Sequence, residues 1–431
     1  MMSAQASAVL ISAPASGQGK TTVTAALARQ AAREGKRVRV FKTGPDFIDP
    51  MILARAAGEP VYQLDLWMGG LAHCRNLLYQ AARDSDLILV EGVMGLYDGT
   101  PSSAELARQF NLPLLIVIDG SAMAQTFGAL ALGLKGYGAD LAIHGVVANR
   151  VAGSGHAALL AESLAGPAAG IPFLGALCTD RAIEFPDRHL GLVQAQEISD
   201  LDARIDRAAQ ALSSSVRIED IPQVTFHADA DLNPPPLLAG VSIAVAHDAA
   251  LYFVYPANLE LLQTMGATIR YFSPLQDAPA PADAIYLPGG YPELHAERLA
   301  ANRPLHEALR RHAEAGKALL AECGGMMLLF EHLVDLEGRR HAMTGLFPGE
   351  TAMQPKLQAL ALQGVELPQG ELRGHSFHHS RLQTSLEPLA HARTQRGGCG
   401  EAVFRQGKLT ASYIHFYFPS NPQAAAALFR P

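Results

Sequence analysis

Ala13-Pro14-Ala15-Ser16-Gly17-Gln18-Gly19-Lys20-Thr21-Thr22 follows an apolar run at 8–13 and opens an Ala-rich stretch of helical period at 21–33. This order of strand, glycine loop and helix is the setting of a phosphate cradle. Free backbone N–H groups at a helix N-terminus bind phosphate oxygens, and the helix dipole favours their negative charge. Gly17 and Gly19 let the backbone wrap closely, Lys20 reaches toward the β/γ-phosphates, and the Thr21 hydroxyl is suited to magnesium. Gln18 and Thr22 complete the nucleotide-binding stretch. The strict Walker pattern has a glycine where Pro14 stands, so the loop is a variant. An ordinary helix start after a glycine turn is the plainer reading, and Gly-Lys-Thr in this context weighs strongly against it.

Outward from the loop, apolar runs of strand length recur at 37–42, 86–91, 112–119, 141–149 and 173–177, with helical stretches such as 102–110 between them. Continuous apolar strands separated by helices predict a parallel sheet covered on both faces. In such sheets the carboxyl ends of the strands border the ligand crevice. Two acidic segments fall there: Lys42-Thr43-Gly44-Pro45-Asp46-Phe47-Ile48-Asp49-Pro50, and Glu91-Gly92-Val93-Met94-Gly95-Leu96-Tyr97-Asp98-Gly99. A magnesium–ATP site needs one or two carboxylates beside the loop hydroxyl, which points to Thr21, Asp46 and Glu91 as ligands. Taken singly, Asp46 and Asp98 read equally well as turn residues. Asn149 ends another strand and is a candidate nucleotide contact.

The chain has 431 residues, 49% hydrophobic and 17% charged, which suits two or three folded domains. A net charge of -7 argues against nucleic acid as the main partner. Cys74, Cys178, Cys323 and Cys399 are scattered, with no C-x-x-C pair, so neither a thiolate zinc cage nor a disulfide framework is expected. The start shows no export signal, and no apolar run approaches the length of a membrane span. A cytoplasmic protein without membrane partners is the expectation. The stretch 213–239 loses periodicity, with a serine triplet and Pro234-Pro235-Pro236, and is expected to be a linker. The expected domains are therefore 1–212 and 240–431, and strands resume at 241–246, 284–287 and 318–322.

In the second half, Ala321-Glu322-Cys323-Gly324-Gly325 breaks a buried strand at a cysteine and continues as a helix. That is a nucleophile-elbow pattern, in which a tight turn exposes the side chain, and the helix N-terminus is expected to favour the thiolate. Leu287-Pro288-Gly289-Gly290-Tyr291 ends another strand; Gly289, Gly290 and Gly324 are candidates for an oxyanion hole. A base must come from elsewhere, and His415, after a strand-like stretch, is the choice. A lone buried cysteine is more often inert; the three features together favour catalysis. His375, His378 and His379 invite a metal reading, which the absence of ligand-spaced partners disfavours.

Together these motifs, with Arg188-His189-Leu190-Gly191-Leu192 and 374–380, resemble the cobyrinic/hydrogenobyrinic acid a,c-diamide synthases over essentially the whole chain. The resemblance implies an α/β protein with an N-terminal P-loop parallel sheet like that of dethiobiotin synthetase. It implies a class I glutamine amidotransferase domain after it. Most class I amidotransferases carry an acid two residues past the histidine; here that position is Tyr417, as in this family. The implied chemistry uses Cys323 and His415 to release ammonia from glutamine, and ATP with magnesium to phosphorylate corrin-ring carboxylates. Asp49, Asp98, Arg188 and His189 are then expected to meet the corrinoid polycarboxylate. The expected partners are small molecules, with homodimerisation left open. Nickel-sirohydrochlorin and cobyric acid type amidations are the near alternatives. A switch ATPase is the distant one, since Ala15 stands where its signature lysine belongs.

Overall fold

Val9 and Ile11 pack into the core on one side of the first strand and Ala8 and Leu10 into the core on the other, and all four are fully buried. Two-sided burial of this kind is what an apolar strand at the centre of a parallel sheet requires. The structure is a computed structural model that describes residues 2–165, 170–188, 191–192, 194–228 and 234–431. Two units divide the chain, Met1–Leu232 and Asn233–Pro431.

The first unit contains β1 (Ser3–Ser12), β2 (Val38–Lys42), β3 (Tyr62–Gln63), β4 (Leu87–Glu91), β5 (Leu114–Asp119), β6 (Ile143–Val151) and β7 (Phe173–Cys178). They are ordered β3-β2-β4-β1-β5-β6-β7, and all these pairs are parallel. Register then decides what meets at the carboxyl edge. Ile11 lies opposite Glu91, and Glu91 opposite Lys42. The glycine loop leaves β1 just beyond, entering helix α1 (Lys20–Arg33), while α2 (Ile48–Ala57) follows β2. The helix Ser103–Phe110 begins with a capping box, Ser102 and Glu105 bonding each other's backbone, which satisfies two otherwise orphan donors. The short strands β8 (Asp187–Arg188) and β9 (Gly191–Leu192) pair antiparallel.

Part of the stretch expected as a linker is ordered. Residues Gln223–His227 form β10, antiparallel to the start of β1, with Val224 and Phe226 buried and their neighbours exposed. Alternation over only five residues, flanked by acids and prolines, hid this strand.

The second unit opens with β11 (Ser242–Ala246), β12 (Leu251–Phe253), β13 (Thr268–Phe272), β14 (Ala284–Leu287), β15 (Gly289–Gly290) and β16 (Ala318–Glu322). It continues with β17 (His332–Val334), β18 (Arg340–Ala342), β19 (Glu350–Met353), β20 (Ala359–Leu367), β21 (Gly370–His378) and β22 (Ser380–Gln383). Last come β23 (Ala390–Thr394), β24 (Cys399–Gln406), β25 (Leu409–Ser412) and β26 (His415–Phe416). The main sheet runs β13-β11-β14-β16-β25-β24-β23-β20-β21-β26. Its first part is parallel, and from β25 to β26 the neighbours are antiparallel. A core lies on each face of this sheet as well. Among the described residues, no helix is long and apolar enough to cross a membrane.

Candidate active sites

The loop between β1 and α1 borders a cavity of about 580 Å³ whose walls include Gly17, Gly19, Lys20, Thr21 and Thr22. Gly17 and Gly19 both have left-handed φ, 76° and 96°, conformations that cost glycine little. The loop is braced from behind. Asn149 Nδ2 donates to the Gln18 carbonyl at 2.9 Å, and Asp119 N–H donates to Gln18 Oε1 at 2.8 Å. Arg150 donates to the Gly17 carbonyl at 2.8 Å and pairs with Asp119 at 2.6 Å. A Cβ on Gly19 would fall 1.9 Å from Asn149 Nδ2. Asn149, expected to touch nucleotide, thus lines the cavity while fixing the shape of the cradle. Lys20 Nζ donates to the Met94 carbonyl at 2.7 Å.

The acids converge on a residue the motif reading passed over. Lys42 is 3% exposed, and its ammonium lies 2.6 Å from Glu91 Oε1, 2.6 Å from Asp49 and 3.7 Å from Asp46. Thr21 Oγ1 donates to the same Glu91 oxygen at 3.1 Å. Burial works against the charge on Lys42, and the three carboxylates outweigh it, so its pKa stands well above the ordinary value. Burial, then Asp49, raises Asp46; for Asp49 burial also works against the charge, but the Lys42 charge together with hydrogen bonds to Asp46, Lys42 and Glu91 outweighs it and lowers its pKa to about 2. A buried cation among three acids needs such partners. The signal was available: a lysine ends an apolar strand immediately before the acidic turn.

Thr21, Asp46 and Glu91, assigned to magnesium, are thereby brought to one place. Glu91 Oε2 is buried and accepts no hydrogen bond. That orphaned oxygen, the Thr21 hydroxyl and the Asp46 carboxylate are the hard oxygen donors magnesium prefers, so the residues fit the ion. Among the described residues, no group of three or more His, Cys, Asp and Glu side chains is arranged to hold a metal by itself. Asp98 is exposed, and its carboxylate accepts the Gly95 N–H at 3.0 Å, closing its own turn. Arg188 lies in β8 and pairs with Gly191; His189 lies outside the described residues.

In the second unit, Cys323 ends β16 with φ 46° and ψ −109°, a strained conformation for a non-glycine residue. Its N–H donates to the Ser412 carbonyl at 2.8 Å, continuing the β16–β25 pairing through the bend. Glu322 Oε1, one residue earlier, accepts the Phe416 N–H at 3.1 Å, and Tyr286 donates to Oε2 at 2.7 Å. The residue before the cysteine therefore holds the residue after the histidine. A Cβ on Gly289 would lie 2.2 Å from His415 Cε1, and one on Gly324 would lie 2.9 Å from the Gly290 backbone. The elbow, the double-glycine loop and the histidine form one cluster. Gly289 and Gly290 also pair with β12, so part of their backbone is committed to that ladder.

The expected thiolate is corrected. Burial pushes the Cys323 thiol upward, the Glu293 carboxylate adds to it, and the Gly324 N–H pulls less strongly the other way. The helix after the cysteine is only Gly324–Met327, too short for its dipole to outweigh burial. Burial, His375 and His378 hold His415 well below the usual histidine value. Both shifts favour the uncharged forms, thiol and neutral imidazole. The four cysteines carry no disulfide.

A glycine loop beside an acid cluster and a cysteine–histidine elbow in one chain are the parts of a glutamine-dependent ligase with a nucleotide-binding unit. Comparison with known families agrees. Residues 9–193 match the CobQ/CobB/MinD/ParA nucleotide binding domain, and residues 242–423 match the CobB/CobQ-like glutamine amidotransferase domain. The chain is 60% identical to a hydrogenobyrinate a,c-diamide synthase of Stutzerimonas stutzeri, covering 100% of both chains. It is 59% identical to the protein of that name in Pseudomonas aeruginosa, covering 100% of this chain and 99% of the relative. To a cobyrinate a,c-diamide synthase of Herminiimonas arsenicoxydans it is 50% identical, covering 98% and 96%. The chain belongs to the cobyrinate/hydrogenobyrinate a,c-diamide synthase family.

Proposed function

We propose that this enzyme amidates the a and c acetate carboxylates of cobyrinic or hydrogenobyrinic acid, with ATP as activator and glutamine as nitrogen source, in the cytoplasm. The observation that carries the reading is the coexistence in one chain of a phosphate cradle facing a buried acid cluster and a joined cysteine–glycine–histidine site. Full-length similarity to synthases so named supports the substrate.

In the first unit, loop N–H groups hold the phosphates, and Lys20 exchanges its carbonyl partners for phosphate oxygens. A substrate carboxylate oxygen attacks the γ-phosphorus, the bond to ADP breaks, and an acyl phosphate forms. Ammonia then attacks the acyl carbon, phosphate leaves, and loss of a proton gives the amide. Thr21, Glu91 and Asp46 would hold magnesium, which when bound neutralises charge on the transferring phosphoryl group. Lys42 keeps three crowded carboxylates together. Asp49, Asp98, Arg188 and His189 are the residues proposed to meet the macrocycle.

In the second unit, His415 takes the Cys323 proton as sulfur attacks the glutamine carboxamide carbon. Backbone N–H groups among Gly289, Gly290 and Gly324 receive the developing oxyanion. His415 returns the proton to nitrogen, ammonia departs, and a glutamyl thioester remains. Water, deprotonated by His415, hydrolyses it to glutamate and free thiol. A neutral imidazole is the form able to accept the first proton.

The test is mass spectrometry of the purified enzyme with ATP, magnesium and glutamine, offering cobyrinic acid, hydrogenobyrinic acid and nickel-sirohydrochlorin in turn. Two carboxylate-to-amide conversions on a cobyrinate-type ring are expected. Amidation of nickel-sirohydrochlorin alone would overturn the assignment.

A further inference from the structure

Two residues beyond His415, where most class I amidotransferases carry an acid, this chain has Tyr417. The His415 ring is closely bounded. His375 is its register partner across the β21–β26 pair. The two imidazoles are stacked, with centroids 4.9 Å apart and planes 18° from parallel. The Gly289 backbone abuts the ring edge, and Phe253 approaches edge-on at 6.1 Å. His375 is in turn held: the Tyr255 hydroxyl and His375 Nδ1 are hydrogen-bonded at 2.8 Å. Tyr255 itself packs edge-on against Tyr417 at 5.2 Å. His375, Tyr255 and Tyr417 are each no more than 2% exposed, so this assembly cannot relax into solvent.

We propose that His375 is the positioning residue of the glutaminase site, its locked ring setting the plane of the His415 imidazole by stacking where related sites use an acid. The proposal rests on the assignment of Cys323 and His415 as the glutamine-hydrolysing pair. His375 takes no proton in the reaction; its contribution is a flat face at a fixed height. Tyr255 fixes that face, and Tyr417, at the position of the absent acid, fixes Tyr255. The reaction places a particular demand on this arrangement. His415 serves four proton transfers, from sulfur, to nitrogen, from water and back to sulfur, and each requires the ring in one plane. A misorientation of about 1 Å at a reacting group costs on the order of a hundredfold in rate.

The test separates stacking from hydrogen bonding. His375→Ala removes the face, whereas a His375→Phe/Tyr255→Phe double variant keeps a flat ring without stranding the buried tyrosine hydroxyl. Glutamine hydrolysis is followed as kcat and KM separately, ammonia-dependent amidation reports that the first unit is folded, and thermal unfolding reports that the second is. Expected are a kcat loss of about a hundredfold for the Ala variant, little change in KM, and recovery to within about tenfold in the Phe double variant. Equal loss in both variants would overturn the stacking role, as would a change confined to KM. Cys323→Ser, run alongside, isolates the underlying assignment: normal glutamine hydrolysis by that variant would refute the site itself rather than the role of His375.

Discussion

Cys323 and Glu91 are the residues proposed to carry the two halves of the chemistry, and each can be substituted without touching the other. Cys323→Ser is expected to abolish glutamine-dependent amidation while free ammonia still supports it, because sulfur serves only nitrogen release. Normal use of glutamine by this variant would contradict the elbow assignment. Glu91→Gln is expected to impair amidation from both nitrogen sources, raising the barrier by roughly a few kcal/mol. It leaves Lys42 one carboxylate short and weakens any magnesium bound beside Thr21. Unchanged ammonia-dependent activity at limiting magnesium would refute that role. Glu322 gives a residue-scale test by pH. Burial pushes its carboxyl up to about 8, whereas an unfolded glutamate titrates near ~4.3. Between those values the folded chain binds the extra proton, so this contribution to stability is full below the lower value and lost as pH rises through the higher. Glu322→Gln stays neutral, and its Tm relative to wild type should rise from about pH 5 to about pH 8. A pH-independent difference would contradict the buried acid. Much of this scale was legible: Gly-Lys-Thr, the acids at strand ends, Cys323 and His415. Lys42 was passed over although it ends an apolar strand before an acidic turn, because a lysine is ordinarily solvated and it is the register of β2 with β4 that sets it beside Glu91.

At the scale of elements, close backbone approach governs the second site. The β15 strand lies so near His415 that one methyl group is too many. Gly289→Ala is therefore expected to displace the imidazole and lower glutamine-dependent turnover by about a hundredfold, while ammonia-dependent turnover persists. Loss of both activities would show that the glycine serves folding instead. The 91–99 segment makes a second case. Asp98 closes its own turn on Gly95 rather than lining the cavity, so Asp98→Asn is expected to spare ATP affinity and to reduce amidation, unequally at the two carboxylates. A large loss of ATP affinity with an unchanged ratio of mono- to diamide would return Asp98 to the nucleotide. Most parallel strands were readable as apolar runs because both their faces are buried, whereas β3, two residues long, and β13, largely exposed, were not. The antiparallel strands β20 to β24 were not, since their buried residues are few and interrupted by polar, partly exposed positions. One-sided burial hid β10.

On the scale of the whole molecule, two α/β units each place their candidate site beyond the carboxyl ends of parallel strands. In the proposed reaction the chain links release of a nucleophile to activation of an electrophile, and an acyl phosphate is the species on which the two meet. Substrate carrying 18O in its a and c carboxylates, incubated with ATP, magnesium and glutamine, tests this most directly. The account predicts that each amide formed delivers one 18O atom to inorganic phosphate, with ADP as the other product. Amide formation without label in phosphate, or with label in AMP, would contradict it.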